Sequence, residues 1–402
     1  MSAHKEPTKI MKNWSTCKLA IIAVVFMLAT TPLTVAARTL KVGEGQAYAV
    51  PSAAAKAAKD GDTVEIMAGT YEGDVVVWKR SGLTLRGIGT VEIKAAGKNA
   101  RGMGTWVIQG DDTTVENIAF YGARVKSKNG AGIRQVGANL TVRRCRFYDN
   151  ENGILAGRSK RNAGDSEILI EDSVFERNGH SNGKAHGIYV GNLTRLTVRG
   201  SIFSESHAGH HIKSRARETH VLYNRVQDRQ SGDSSYLIDL PQSGRGFVIG
   251  NVLQQGPRAQ NNGIVSFGAE KNQHPDSVLF IVNNTMVNDR QNGVFIKNRQ
   301  PDAKVYVYNN IFAGDGKLST MEVEAANNLI VASRADSPFV NWGDYDYRLT
   351  AGSKAIDAGR FVEAFEDVSL TPALEIRQGP GTLPRPAIGA IDIGAFEYRD
   401  EN

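Results

Sequence analysis

The sequence predicts an all-β solenoid, a right-handed parallel β-helix with a short N-terminal capping helix and an irregular C-terminal cap. Two observations lead there. A short β-rich unit recurs along the chain: TVRRCRF (141–147), LIEDSVF (169–175), TVRGSIF (197–203), VLYNRV (221–226), VIGNVL (248–253), IVNNTM (281–286) and VYNNIF (307–312). Within it one column holds small polar residues, Cys145, Ser173, Ser201, Asn224, Asn251, Asn284 and Asn310, at intervals of 23 to 33 residues. A second motif travels with it: GIR (132–134), GIL (153–155), GIY (187–189), HIK (211–213), LID (237–239), GIV (263–265) and GVF (293–295). Repeats of this length mark a solenoid.

Each coil therefore holds at least two strands, one opened by glycine and one closed by an Asn-type corner. A single coil cannot bury its apolar face; stacking buries a continuous core and pairs strands in parallel between coils. Asparagines stacked at one corner can hydrogen-bond along the axis and tolerate the left-handed backbone of a sharp turn. A β-propeller would need antiparallel blades joined by hairpins, and no Asn-Gly hairpin signal repeats.

The elements follow in order. Residues 1–37 read as an export signal: Lys5, Lys9, Lys12 and Lys18 precede an apolar run over 19–33, and Val35-Ala36-Ala37 offers small residues for cleavage. An uncleaved anchor is the alternative, although the run is short for a membrane span. Without this segment the chain loses four Lys and one Glu, and its net charge falls from +6 to +3. That charge accompanies no aromatic-basic motif, which argues against nucleic acid and is compatible with an acidic substrate. Cys145 alone remains, so no internal disulfide is expected. The mature part divides into a β-helix over 38–335 and a cap or tail over 336–402. An Ala-rich segment from Pro51 to Lys59, with Pro early and Gly61 late, reads as the capping helix. The protein is expected to be periplasmic or secreted.

GDTVEIMAGTYEG (61–73), YRLTAGSKAIDAG (347–359) and DIGAFEY (392–398) resemble the opening and the ending of secreted bacterial right-handed β-helix proteins of the pectate-lyase-like superfamily. The resemblance implies the fold. It leaves the activity open among lyases, epimerases, hydrolases and binding fibres.

Function is expected on outward side chains of one sheet, walled by loops at 157–166, 178–184 and 268–277. Six histidines lie between 180 and 220: His180, His186, His207, His210, His211 and His220. Strand alternation, with Ile188, Ile212 and Ile238 inward, puts Tyr189, Lys213 and Asp239 outward in one column, flanked by His211 and Arg215. His210 is read as structural, pointing inward or into the turn.

This set suits β-elimination on a uronate. A cation must neutralise the carboxylate, a base must take the C5 proton and an acid must protonate the leaving oxygen. Arg215 suits the carboxylate, Lys213 or His211 the base, and Tyr189 the acid, a like charge beside Lys213 lowering its pKa. His186, Arg217, Tyr236, Asp239 and Arg245 are assigned to substrate binding. The expected partner is an acidic polysaccharide. A C5-epimerase and a non-catalytic polysaccharide-binding protein are the alternatives. Calcium is a cofactor the resemblance allows. Asp111, Asp112, Asp233 and Asp239 could offer it oxygen, but their scatter assigns no metal site. Solvation alone would also account for exposed Lys213 and Arg215.

Overall fold

The computed structural model describes residues 37–157, 166–271 and 274–400. The export signal expected over 1–37 and most of the 157–166 loop lie outside them. No helix among the described residues is long and apolar enough to cross a membrane.

The chain winds through three parallel sheets, here called walls. A representative coil runs from Arg195–Arg199 on the second wall to Ile202–Ser204 on the third, then to Ile212–Ser214 on the first, and returns to the second at Glu218–Leu222. Each strand pairs with its equivalents one coil earlier and one coil later, as Ile212–Ser214 does with Ile188–Val190 and Ile238–Leu240. The parallel strands continue to Leu329–Val331. Beyond them two small antiparallel pairs form, Phe339–Asn341 with Asp346–Leu349 and Leu374–Ile376 with Thr382–Pro384. At the other end the helix Pro51–Ala57 has proline at its first turn and puts Ala54 into the core.

The interior explains the repeats. Phe120, Phe147, Phe175 and Phe203 stack along the third wall at centroid separations of 5.2, 4.7 and 4.6 Å. Burying each ring stabilises by about 1.5–3 kcal/mol. The small polar column is a hydrogen-bond ladder. The backbone N–H of Asn224 donates to Asn251 Oδ1 at 2.8 Å, that of Asn251 to Asn284 Oδ1 and that of Asn284 to Asn310 Oδ1, both at 2.9 Å. Ser173 and Ser201 carry the same ladder backwards to Cys145. The left-handed residue of each corner is the one before the ladder position, for example Arg144 (φ 52°), Asp172 (φ 50°) and Asn283 (φ 52°), not the ladder residue itself. The corner strain thus falls on an exchangeable neighbour, while the buried Asn only closes hydrogen bonds.

Candidate functional site

The first wall brings Tyr189, Lys213 and Asp239 into direct register on three successive strands. The same column continues to Leu155 and Arg134 in one direction and to Ser266 and Lys297 in the other. Lys213 Nζ lies 2.9 Å from Asp239 Oδ2, and the two side chains are 14% and 4% exposed. The column is therefore more covered than alternation alone implied. The neighbour of Lys213 is a carboxylate rather than the expected like charge.

The cover comes from Arg215 and the loop that follows Phe267. Arg215 Nε donates to Glu270 Oε2 at 2.7 Å, and its terminal nitrogens reach Glu270 Oε1 and Tyr189 Oη. The guanidinium also sits 5.1 Å from the centre of the Tyr189 ring. That hydrogen bond, outweighing burial, holds the Glu270 carboxyl below its usual range. Arg215 is thus a clamp between Tyr189 and Glu270, not the open carboxylate receptor expected from its strand position. Because Tyr189 Oη accepts from Arg215, its own proton points elsewhere.

A stacked ladder borders this cluster. His186 and His210 lie 4.8 Å apart with planes 4° from parallel, and Tyr236 continues the stack at 5.3 Å. The His210 backbone N–H donates to His186 Nδ1 at 3.0 Å, and that of Tyr236 to His210 Nδ1 at 3.2 Å. An Nδ1 that accepts leaves the proton of a neutral imidazole on Nε2. For His210 that atom is 3.3 Å from Asp239 Oδ2. Burial lowers His186 well below the ordinary imidazole value and lowers His210 to about 4, against the opposing pull of Asp239. Among the described residues Asp239 Oδ1 is buried without a hydrogen-bond partner. His186 and Tyr236, assigned to substrate contact, are instead buried rungs.

Three further expectations need correction. His211 does not face outward: it is 1% exposed, and its Nε2 meets buried Asp228 Oδ1 at 2.9 Å. The strand begins only at Ile212, so position 211 lies on the bend between walls, where the side chain points into the solenoid. In two earlier coils glycine holds this place where a Cβ would strike a phenylalanine, 2.9 Å from Phe147 Cδ1 at Gly132 and 2.6 Å from Phe175 Cδ1 at Gly153; at Gly187 it would meet the His211 carbonyl oxygen instead. His211 fits because the stacked column changes from Phe203 to Val226 beside it. That coincident exchange is the signal the sequence offered. Arg217 lies past the end of Ile212–Ser214 and is exposed at the corner. Arg245 lies on the second wall, where it pairs with Glu218 at 3.6 Å and Glu366 at 2.5 Å. The remaining histidines of the window serve elsewhere: His207 meets Asp233 at 2.9 Å and His220 meets Glu218 at 2.6 Å.

Sequence reasoning missed Glu270, Arg134, Lys297 and the contact of His210 with Asp239. The acids considered for calcium are dispersed: Asp111 accepts from the Ala138 N–H at 2.7 Å, Asp112 from Asn139 at 2.7 Å, and Asp233 faces His207. Among the described residues no group of three or more His, Cys, Asp or Glu is placed to hold a metal ion. A surface depression of about 510 Å³ lies on the second wall, lined by Thr114, Thr141 and Arg195, away from the Lys213 cluster.

Comparison with known proteins agrees with the architecture. A family described as "right handed beta helix region" matches residues 74–226. The colanic acid biosynthesis protein WcaM of Shigella flexneri is 30% identical over 173 residues, 42% of this chain. The chain spans about a third, 32%, of that curated relative's length. Among solved structures, pectate lyase Pel9A is 16% identical with a TM-score of 0.56, covering 90% of this chain and 96% of its own. An alginate lyase from Paenibacillus sp. str. FPU-7 is 16% identical with a TM-score of 0.47, covering 73% of this chain and 99% of its own. With its parallel walls, its buried ladders and a matching region in mid-chain, this protein is a right-handed parallel β-helix that shares the pectate lyase fold.

Proposed function

We propose that the first wall of the solenoid over 38–335 binds an acidic, uronate-containing polysaccharide and cleaves it by β-elimination, with 336–402 acting as a cap. The observation that carries this reading is the convergence of a phenol, an amine and a guanidinium on one outer surface. Arg215 touches Tyr189, and Lys213 lies between Tyr189 and Asp239 in register. In this reading the substrate carboxylate displaces Glu270 from Arg215, which neutralises it and makes the C5 proton removable. Lys213 passes a proton to Asp239 and takes the C5 proton. The released electron pair forms the C4–C5 double bond as the C4–O bond breaks. Tyr189 Oη gives its proton to the leaving oxygen. The periplasm or the cell exterior, where such polymers are met, is the matching location.

A second reading, a non-catalytic binding module, draws on a specific feature: Lys213 and Arg215 are each already matched by a carboxylate. A C5-epimerase would form the same carbanion and return the proton to the other face. The experiment is to incubate the purified protein with alginate, polygalacturonate, gellan and colanic acid. Ultraviolet absorbance of a new double bond and the uronate composition are then followed. New absorbance that is lost in Tyr189→Phe supports elimination. A changed uronate ratio without absorbance supports epimerisation. Binding with neither removes the catalytic reading. Glu270→Gln should free Arg215 and tighten binding of the polymer; weaker binding would remove the proposed exchange of carboxylates.

A further inference from the structure

The outward column of the first wall reads Arg134, Leu155, Tyr189, Lys213, Asp239, Ser266, Lys297 from coil to coil. Its cations stand at equal intervals. Arg134 lies three strands before Lys213 and Lys297 three strands after it, about 14 Å in each direction at the usual strand spacing.

The outer two cations differ from the central one. Lys213 has Asp239. Among the described residues Arg134 has no carboxylate partner, and its buried Nε has no hydrogen-bond partner. Lys297 donates to Asn262 Oδ1 at 2.9 Å, a neutral oxygen, and lies 5.8 Å over the Tyr236 ring. Burial lowers both, and for Lys297 the nearby Arg299 and Arg290 lower it further. A half-buried cation without a counterion is costly unless an anion arrives from outside.

We propose that Arg134 and Lys297 are anion subsites for one extended polysaccharide lying parallel to the solenoid axis, and that its acidic groups are separated by neutral sugars. This rests on the reading of the first wall as a polysaccharide site. A pyranose unit is about as long as one strand spacing, so cations on every third strand match an acid on about every third sugar. The positions between them, Leu155 and Ser266, offer no charge to an intervening carboxylate. A polymer with an acid on every residue would leave most of its carboxylates unmatched. The chemical class is a sparsely acidic heteropolysaccharide, not a homopolymer of uronate.

The test is affinity electrophoresis of the whole protein in gels holding gellan, whose acids are sparse at one uronate in each four-sugar repeat, or polygalacturonate, which has one on every sugar. Retardation should be stronger in gellan. Arg134→Gln and Lys297→Gln should each weaken gellan binding about tenfold. The double variant should weaken it about a hundredfold, because the two sites lie too far apart to couple. Arg134→Lys, which keeps the charge and guards against misfolding of the Gln variant, should retain most of the affinity. Equal retardation of wild type and the three Gln-bearing variants, or stronger retention by polygalacturonate, overturns the proposal. Binding is read without turnover, so the two ideas separate. The expected binding pattern with no unsaturated product leaves the subsites standing and removes the lyase. Product formation with unaffected binding in the variants removes the subsites alone.

Discussion

The first and second walls have the same strand geometry and treat charge in opposite ways. On the second wall Lys41, Glu65, Arg86, Glu116, Arg143, Glu171 and Arg199 succeed one another in register, every acid between two bases. Glu116 meets Arg86 at 3.0 Å, and Glu171 meets Arg143 at 2.7 Å and also contacts Arg199. Such a row satisfies itself. Among the described residues the first wall sets Arg134 and Lys297 without acid partners and matches Lys213 with a buried one. Identical spacing therefore gives a self-neutralised surface in one case and an anion-seeking surface in the other. The difference lies in the acids: three alternate with four bases on the second wall, and one stands among three bases on the first.

The sharpest way to break this contrast is Lys213→Ala. It leaves the buried Asp239 without its ion-pair partner and should cost about 3–5 kcal/mol of stability in urea unfolding. A loss under about 1 kcal/mol would put the pair on the same footing as the second wall. Next comes the corner that joins the second wall to the third. Asn251→Ala strips the acceptor from the Asn224 N–H and should cost about 2 kcal/mol, with hydrogen exchange rising on the second wall more than on the first. An equal rise on both would mean that the ladder supports the whole coil.

Acid should separate the walls in pH. His210 titrates at about 4 in the folded chain against an ordinary 6.5, so the unfolded chain binds the proton first. First-wall stability is then lost as pH falls from about 6.5 towards 4. Burial raises the Glu171 carboxyl, but Arg143 and Arg199 outweigh it, and the net shift is downward. Its contribution is present above the unfolded carboxylate range and is lost only below it. Exchange protection should therefore fail first around His186 and His210, and later around 167–171. The reverse order would remove the assignment of neutral buried imidazoles. The smallest effect is expected for Arg143→Ala, under about 1 kcal/mol, because its guanidinium is 39% exposed.

Much of this was legible in the sequence. The repeats fixed which strands lie side by side, so the column of Tyr189, Lys213 and Asp239 followed from counting alone. What failed was local. Alternation holds within a strand and breaks at a bend, which turned His211 inward and carried Arg217 and Arg245 around corners. Glu270 arrives from a loop with no period to count. Lys297 follows a register shift between Asn288 and Gly293 that the repeat spacing conceals. Arg134 stood in plain view in its GIR motif. Its meaning came only from the lack of a partner, which no sequence reports.

The far half of the second wall changes character. There Phe247, Ile249, Phe280 and Val282 replace the charged row, and Val362, Phe365 and Leu370 cover them. The covering residues are synthesised well after the coils they shelter. A polypeptide emerging N-terminus first must therefore hold a greasy seam open until its tail arrives. During that interval the seam is a target for chaperones and for stray association with other chains.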